Sequence, residues 1–236
     1  MEGIYIYNCS NIFINNVRIF NASIYGVLIY NSTNVVIDSV TILDARRSSI
    51  DEGKCIDITE QSSNNTVSRS ILGYTYDVSL LQKYKGMLIA NFKLEPVTNV
   101  SLHHNLFYCC YQRSPEISTA GLFDIVNNVI FNYTEYGTRV RQGAQGNFEG
   151  NTYIGGNKDP LVFEGTLQLY SVYNIWKKGC SAWQYIDDSL THDRFLVPTV
   201  QKEKFADVLA VVSGSGCRLP TQLESNIKKN VLIHAQ

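Results

Sequence analysis

The strongest constraint on the fold of this chain is a repeat with a period of 23 residues. Four segments that alternate apolar and polar residues follow one another at that spacing, and they begin at Asn99, Leu122, Gln145 and Gln168. An earlier pair, at Asn11 and Asn34, is also 23 residues apart. Because regular periods of this length arise when one structural unit stacks on the next, the sequence predicts a solenoid.

The columns of the repeat describe a single coil of this solenoid. The fourth position is apolar and should point inward, and its members are Ile14, Ile37, Val67, Leu102, Ile125 and Phe148. The seventh position is asparagine in the last four repeats, at Asn105, Asn128, Asn151 and Asn174. Identical amide side chains one coil apart can hydrogen-bond along the stack. We therefore predict an all-β chain, a right-handed single-stranded parallel β-helix.

Two other architectures with short repeats fit less well. A β/α alternation needs two strands and a crossover helix, which 23 residues cannot hold. The Leu-x-x-Leu-x-Leu pattern of leucine-rich repeats is missing. We place the coils in residues 1–176, with long loops at 44–56, 73–96 and 106–121. Residues 177–236 lose the period, contain a helical stretch, and are predicted to form a C-terminal capping segment packed on the β-helix.

Composition narrows the partners and the compartment. A net charge of −1 argues against a nucleic-acid binder. No apolar run is long enough to span a membrane, and we expect a monomer.

The chain has six cysteines, and none of them has the spacing of zinc ligands. Two alternatives stay open for Cys180 and Cys217: they form a disulfide, or they are buried thiols. Met1 leads directly into strand-like sequence without a signal peptide, as in a processed form or a chain that is not secreted. Six glycosylation sequons fit a secreted, extracellular glycoprotein and begin at Asn8, Asn21, Asn31, Asn64, Asn99 and Asn132.

Three polar residues stand out as candidates for a functional site. Asp57 should face outward because its neighbours in the strand-like segment CIDIT are apolar and point inward. Lys85 comes from the insertion at 73–96, and Arg113 comes from the loop after His103. Insertions on one side of a solenoid usually build its binding face. A carboxylate, a lysine and an arginine along one groove suit an acidic polymer better than a neutral one.

Several of these segments resemble the pectate lyase family of parallel β-helix enzymes. NVSLHHNLFYCCYQRSPEI, from Asn99 to Ile117, resembles the family's Val-Thr-x-His-His-Asn…Arg-x-Pro signature. LFDIVNNVIFN and VRQGAQGNFEGNTY resemble the two coils that follow it, and NVVID, CIDIT and KGMLI resemble segments upstream. The resemblance covers roughly residues 10–175 in the same order.

The resemblance implies β-elimination on polygalacturonate, the acidic backbone of pectin, in pectin catabolism. Calcium and cationic side chains would bind the C6 carboxylate, and an arginine would remove the C5 proton. By motif, Arg113 falls on the catalytic arginine, Lys85 on the substrate-binding lysine and Asp57 on a calcium-ligating aspartate. The free pKa of arginine exceeds 12, so a base at Arg113 needs a local cationic field, from calcium and Lys85.

The chain departs from the family pattern at three positions. Tyr25 and Gly53 stand where the resemblance implies calcium-ligating carboxylates, and Ser118 stands where it implies a second arginine. Glu52 lies one residue before Gly53, and through a bulge it would join Asp57 as a metal ligand. Calcium prefers six to eight oxygen ligands, so a site with Asp57 and Glu52 is atypical.

Alternatives therefore stay open for the residues and for the function. Arg113 can instead pair with Glu116, Asp57 can pair with Lys54, and His103 and His104 are expected to be structural. The chain is then a catalytically weakened β-helix that binds acidic polysaccharide. Hydrolysis by paired carboxylates is a third hypothesis, but Asp187 and Asp188 lie outside the repeat.

Overall fold

The described part of the chain winds into a right-handed parallel β-helix of seven coils. The structure, a computed structural model, describes residues 3–45, 53–75, 84–93, 95–165, 167–177, 204–211 and 221–235. Within these residues, three parallel sheets of seven strands each run along the stack, and every coil contributes one strand to each sheet. The fold predicted from the 23-residue period is confirmed.

The strands of the three sheets follow in the order of the coils. The first sheet holds β1 (Ile4–Tyr7), β4 (Tyr25–Tyr30), β7 (Gly53–Thr59), β10 (Tyr84–Ala90), β13 (Glu116–Ser118), β16 (Tyr136–Arg141) and β19 (Asp159–Glu164). The second sheet holds β2 (Ser10–Asn15), β5 (Thr33–Asp38), β8 (Ser63–Ser68), β11 (Thr98–His103), β14 (Gly121–Val126), β17 (Ala144–Glu149) and β20 (Gln168–Val172). The third sheet holds β3 (Arg18–Phe20), β6 (Thr41–Leu43), β9 (Ile71–Gly73), β12 (Leu106–Tyr108), β15 (Val129–Phe131), β18 (Thr152–Ile154) and β21 (Ile175–Trp176).

The predicted apolar column lies in the second sheet and forms part of the core. Each member pairs in register with the next, from Ile14 opposite Ile37 to Ile125 opposite Phe148. All but Ile14 are buried. Burying an apolar side chain of this size contributes about 1.5–3 kcal/mol, so a stack of them favours this register strongly. A shift by one residue would turn the whole column outward.

The predicted asparagine column forms a ladder inside the turn between the second and third sheets. Asn105, Asn128 and Asn151 each donate from Nδ2 to Oδ1 of the asparagine one coil further on, at 3.0–3.1 Å. Those oxygens also accept the backbone N–H groups of the preceding asparagines at 3.0–3.1 Å. Asn105 and Asn128 are fully buried, so the ladder satisfies polar groups that water cannot reach.

A second group of asparagines serves the turns through its backbone. Ten of them have φ between 45° and 59°, in the left-handed region that asparagine tolerates better than most residues. All six sequon asparagines belong to this group. In two of these, Asn31 and Asn99, Nδ2 donates to the asparagine one coil earlier, at 2.8 and 3.1 Å. The geometry of the turns is therefore sufficient to explain why asparagine is abundant at these positions.

The insertions into the repeat are shorter than the sequence predicted. The ranges 44–56, 73–96 and 106–121 were expected to be loops, but β7, β10, β12 and β13 lie partly or wholly within them. These strands pair in register with the strands of neighbouring coils, which outweighs their irregular spacing in the sequence. The extra residues that precede β7 and β10 lie where the chain passes from the third sheet to the first.

Among the described residues after the coils, two segments are helical, α1 (Phe205–Val211) and α2 (Gln222–His234). Apolar residues of α2 are buried against the outer face of the third sheet. Near its start Glu224 binds Arg18 of the first coil, and just past its end the carbonyl of Ala235 accepts from Lys177 of the last coil at 2.9 Å. Helix α2 therefore lies along the side of the stack. Neither described helix is long and apolar enough to span a membrane.

Candidate functional site

Cationic side chains gather on the outer face of the first sheet and on the loop that enters it. Lys54 on β7 pairs in register with Lys85 on β10, one coil further on. Arg113 directly precedes β13, and Arg139 and Arg141 lie on β16. Four successive coils therefore contribute at least one cation each. Parallel strands lie about 4.8 Å apart, so this row follows the long axis of the β-helix.

Lys54 and Asp57 form an ion pair at the first position of this row. Nζ of Lys54 lies 2.9 Å from Oδ2 of Asp57. It also lies 5.3 Å from the ring centroid of Tyr25, which faces it from β4. Both charged residues are buried, so the pair is held in place with little exposure to water. The pairing that sequence analysis kept as an alternative for Asp57 is present.

Lys85 is buried one coil further along. Its Nζ lies 5.2 Å from the ring centroid of Tyr111, a distance that suits a cation–π contact. The amide of Gln112 accepts from Lys85 through its oxygen and donates to Glu135 through its nitrogen. Lys85 is thus held by groups from the same loop that carries Arg113.

Arg113 is positioned by backbone contacts to the strand of Lys85. It has φ of 65°, and its carbonyl accepts from the N–H of Met87 on β10 at 2.6 Å. A side chain at Gly86 would overlap this carbonyl, so only glycine allows the loop to approach so closely. The sequence brings Arg113 and Lys85 together through this contact between loop and strand.

The guanidinium of Arg113 contacts a buried carboxylate. Its Nε lies 2.7 Å from Oε2 of Glu116, and Nη2 of Arg141 lies 2.7 Å from Oε1 of the same residue. Tyr136 donates its hydroxyl to Oε2 of Glu116 at 2.7 Å. Burial, together with the Glu116 carboxylate, raises the pKa of Tyr136, so this hydroxyl stays protonated and keeps donating. Glu116 thus joins two arginines that come from different coils.

Arg141 occupies the region where the resemblance implied a second arginine. Ser118 stands at that position in the sequence, and it pairs in register with Arg141 of the next coil. Nε of Arg141 donates to Oγ of Ser118 at 2.9 Å. Arg141 lies 23 residues after Ser118, one period of the repeat, so the sequence itself carried the signal that these two positions are neighbours.

Arg139 lies on β16, the strand at the C-terminal end of the row of cations. Its Nη2 donates to both carboxylate oxygens of Glu164 at 2.9 Å, and its guanidinium lies 5.3 Å from the ring centroid of Tyr136. A cleft beside β16 and β19 includes Arg139, Lys158 and Glu164 in its lining. The charged face therefore continues beyond Arg113 toward the C-terminal coils.

The two histidines of the signature lie on the second sheet and the turn after it. Nδ1 of His103 lies 3.1 Å from Nδ1 of His104. Burial, with a smaller contribution from His104, lowers the pKa of His103 to about 4. His103 is therefore neutral at pH 7, and the pair serves the stack without joining the cationic row.

The described residues do not fit a calcium ion. They contain no cluster of three or more histidine, cysteine, aspartate or glutamate side chains that could hold a metal. Asp57, the predicted ligand within the described chain, holds an ammonium group instead. Glu52, the second predicted ligand, lies outside the described residues, as do Cys180 and Cys217. Within the described chain Cys9, Cys55 and Cys110 are free thiols.

The stacked sheets and the cationic row define a parallel β-helix protein with one strongly charged face. The family model described as pectate lyase matches residues 1–167, more than two thirds of the chain. This chain belongs to the pectate lyase family.

Comparison with solved structures supports the same fold. The structure of the thermostable pectate lyase PL 47 is similar, with a TM-score of 0.52 and 17% sequence identity, over 90% of this chain and 69% of that chain. At this identity the likeness bears on the fold alone. No curated protein sequence matches the chain.

Proposed function

We propose that this protein is a polysaccharide lyase that cleaves polygalacturonate by β-elimination, with Arg113 as the base. The observation that carries the proposal is the row of cations on four successive coils, with Arg113 at its centre. A linear polymer with one carboxylate on each sugar complements a row of charges along the β-helix axis. Family membership supports the class of reaction.

Each bond change of the reaction can be assigned to a group of the sugar or of the chain. Lys85 binds the carboxylate on C6 and thereby increases the acidity of the proton on C5. Arg113 in its neutral form, after its own proton has passed to solvent, removes that proton; a double bond forms between C4 and C5, and the bond between C4 and the glycosidic oxygen breaks. The electron pair leaves with that oxygen, which then takes up a proton from water or from the protonated Arg113. No step involves calcium, because the described residues do not fit the ion.

The ion pair between Arg113 and Glu116 bears directly on this mechanism. A carboxylate at 2.7 Å stabilises the guanidinium cation and opposes the loss of its proton. Arg141 shares the same carboxylate, so the charge that Glu116 offers to Arg113 is divided between two cations. For catalysis, substrate binding must therefore shift Glu116 further toward Arg141.

The same ion pair favours a second candidate function. If Glu116 holds Arg113 permanently as a cation, the groove binds acidic polysaccharide without cleaving it. In both cases the ligand is an acidic polysaccharide. The extracellular location, glycosylation and monomeric state expected from the sequence stay predictions.

The two functions are separated by incubating the full chain with polygalacturonate and following the absorbance of the unsaturated product. Lyase activity in the wild type that falls at least 100-fold in Arg113→Ala, with binding to the polymer retained, supports the proposal. Lys229→Ala is the control, because Lys229 is exposed on α2, which packs against the third sheet and not the first. Binding without product favours the second function, and full activity in Arg113→Ala refutes Arg113 as the base.

A further inference from the structure

Three residues form a column on the first sheet. Tyr25 stands where the resemblance implied a carboxylate, and Lys54 directly follows Gly53, which stands where it implied a second one. Tyr25 on β4 pairs in register with Lys54 on β7, which pairs with Lys85 on β10. Lys54 lies between the other two and is one coil from each. This column belongs to the outer face that carries the proposed substrate-binding groove.

The partners of Lys54 are those of a bound cation. Asp57 supplies a carboxylate oxygen at 2.9 Å, and Tyr25 supplies the face of its ring at 5.3 Å. The side chains of Lys54 and Asp57 are only 11% and 3% exposed, so water screens their attraction little. Gly53, next in sequence, adds no side chain that could compete for the ammonium group.

A calcium ion at this place would conflict with Lys54. Calcium binds carboxylate oxygens at about 2.3–2.6 Å, so an ion on Oδ2 of Asp57 could lie at most about 5.5 Å from Nζ of Lys54. Two positive charges that close repel each other strongly where water is excluded. The face of the Tyr25 ring attracts an ammonium group by a cation–π contact, but the ring has no carboxylate oxygen that could bind a divalent ion. Tyr25 and Lys54 are thus matched to each other.

We infer that Lys54 takes the place of the divalent cation expected at this site. Its ammonium group, fixed by Asp57 and Tyr25, supplies a positive charge that is covalently part of the chain. Lys54 then adds its positive charge next to Lys85, which binds the substrate carboxylate, and the reaction needs no calcium. The catalytic role of Lys54 rests on the lyase activity proposed above. The exclusion of calcium by Lys54 can be measured without any activity.

The first experiment titrates the full chain with calcium chloride after treatment with a chelator, by calorimetry and by thermal melting. The wild type is expected to show no calcium binding below millimolar concentrations and no rise in Tm beyond that in sodium chloride of equal ionic strength. Lys54→Asp places a second carboxylate near Asp57, and its Tm is expected to rise with calcium. Calcium binding by the wild type that is lost in Asp57→Asn or Glu52→Gln would overturn the inference.

The second experiment measures product formation in chelator and in calcium chloride. We expect wild-type activity to be equal within twofold in both conditions. The double variant Lys54→Met/Asp57→Asn removes both charges without leaving a buried carboxylate unpaired, and its activity should fall at least 50-fold while its Tm stays close to that of the wild type. Lys54→Arg keeps the charge and should retain part of the activity.

Lys229→Met, on the exposed face of α2, is the matched control and should change neither activity nor Tm. Wild-type activity that requires calcium, or full activity in the folded double variant, refutes the role of Lys54. Absence of any product from the wild type refutes the lyase function alone, and the calcium titration then still decides whether Lys54 excludes the ion.

Discussion

Replacement of Asn128 by alanine tests whether the asparagine ladder holds the coils together. Asn128 is fully buried and bonds to both neighbouring coils. Its Nδ2 donates to the carbonyl of Leu102 at 2.9 Å and to Oδ1 of Asn151 at 3.0 Å. Its Oδ1 accepts from the backbone N–H and from Nδ2 of Asn105, both at 3.1 Å. Nδ2 also donates to the carbonyl of Val126 at 3.2 Å. Alanine keeps the backbone and removes all five hydrogen bonds.

The expected loss of stability follows from the buried polar groups that lose Asn128 as a hydrogen-bond partner. The N–H of Asn105 and the carbonyl of Leu102 would each lose a hydrogen bond in the interior, at a cost of about 1–3 kcal/mol per group. The two lost bonds between amide side chains add about 1 kcal/mol together. We expect Asn128→Ala to lower the free energy of unfolding by about 3–7 kcal/mol, a large fraction of the 5–15 kcal/mol typical of folded domains.

The assay is equilibrium unfolding in guanidinium chloride, followed by circular dichroism. Asn226→Ala is the control, because Asn226 is exposed on α2 and accepts one hydrogen bond, from Gln222 at 2.8 Å. The control should change stability by no more than about 0.5 kcal/mol. A loss below about 1 kcal/mol in Asn128→Ala, with an unchanged denaturant slope, would show that the ladder contributes little and would refute the reasoning.

Two further predictions concern titratable groups in the stack. Because the pKa of His103 falls to about 4 in the folded state and is about 6.5 when unfolded, the unfolded chain binds more protons between these values. Stability should therefore decrease by about 1–3 kcal/mol as the pH falls from 6.5 to 4, and in His103→Gln this pH dependence should be smaller in urea titrations; an unchanged dependence contradicts the assignment. Burial raises the pKa of Cys110 to about 12 and also raises that of Cys55, so neither should react with iodoacetamide at pH 8 in the folded chain, whereas exposed Cys9 should. Peptide mapping checks this, and rapid labelling of Cys110 would contradict it.

The arrangement of the coils could be predicted from the sequence because the repeat is regular in the second sheet. The apolar column through Leu102 and the ladder through Asn128 follow directly from a constant spacing of 23 residues. A parallel stack places equal positions of successive repeats next to each other, so each column becomes a line of contacts. The predicted loops were too long because strands of the first sheet lie inside irregular stretches such as 73–96.

The site was predicted less completely, and its ion pairs show why. The motifs placed Arg113 and Asp57 near one groove, but they did not decide which partners these side chains take. In the structure Glu116 contacts Arg113 and Arg141, and Lys54 contacts Asp57. Each of these choices depends on distances of a few ångströms and on burial, which a pattern of residue types does not contain.

The sequence by itself determined the period, the inward columns and the order of the coils, because regular burial of apolar and amide groups allows one register. Only the tertiary structure decided how the charges pair. Arg141 reaches Glu116 from the next coil, and Lys54 meets the ring of Tyr25 from the previous coil. Electrostatic partners on the outer face are selected by proximity across coils, where water is excluded and a carboxylate interacts with the nearest cation.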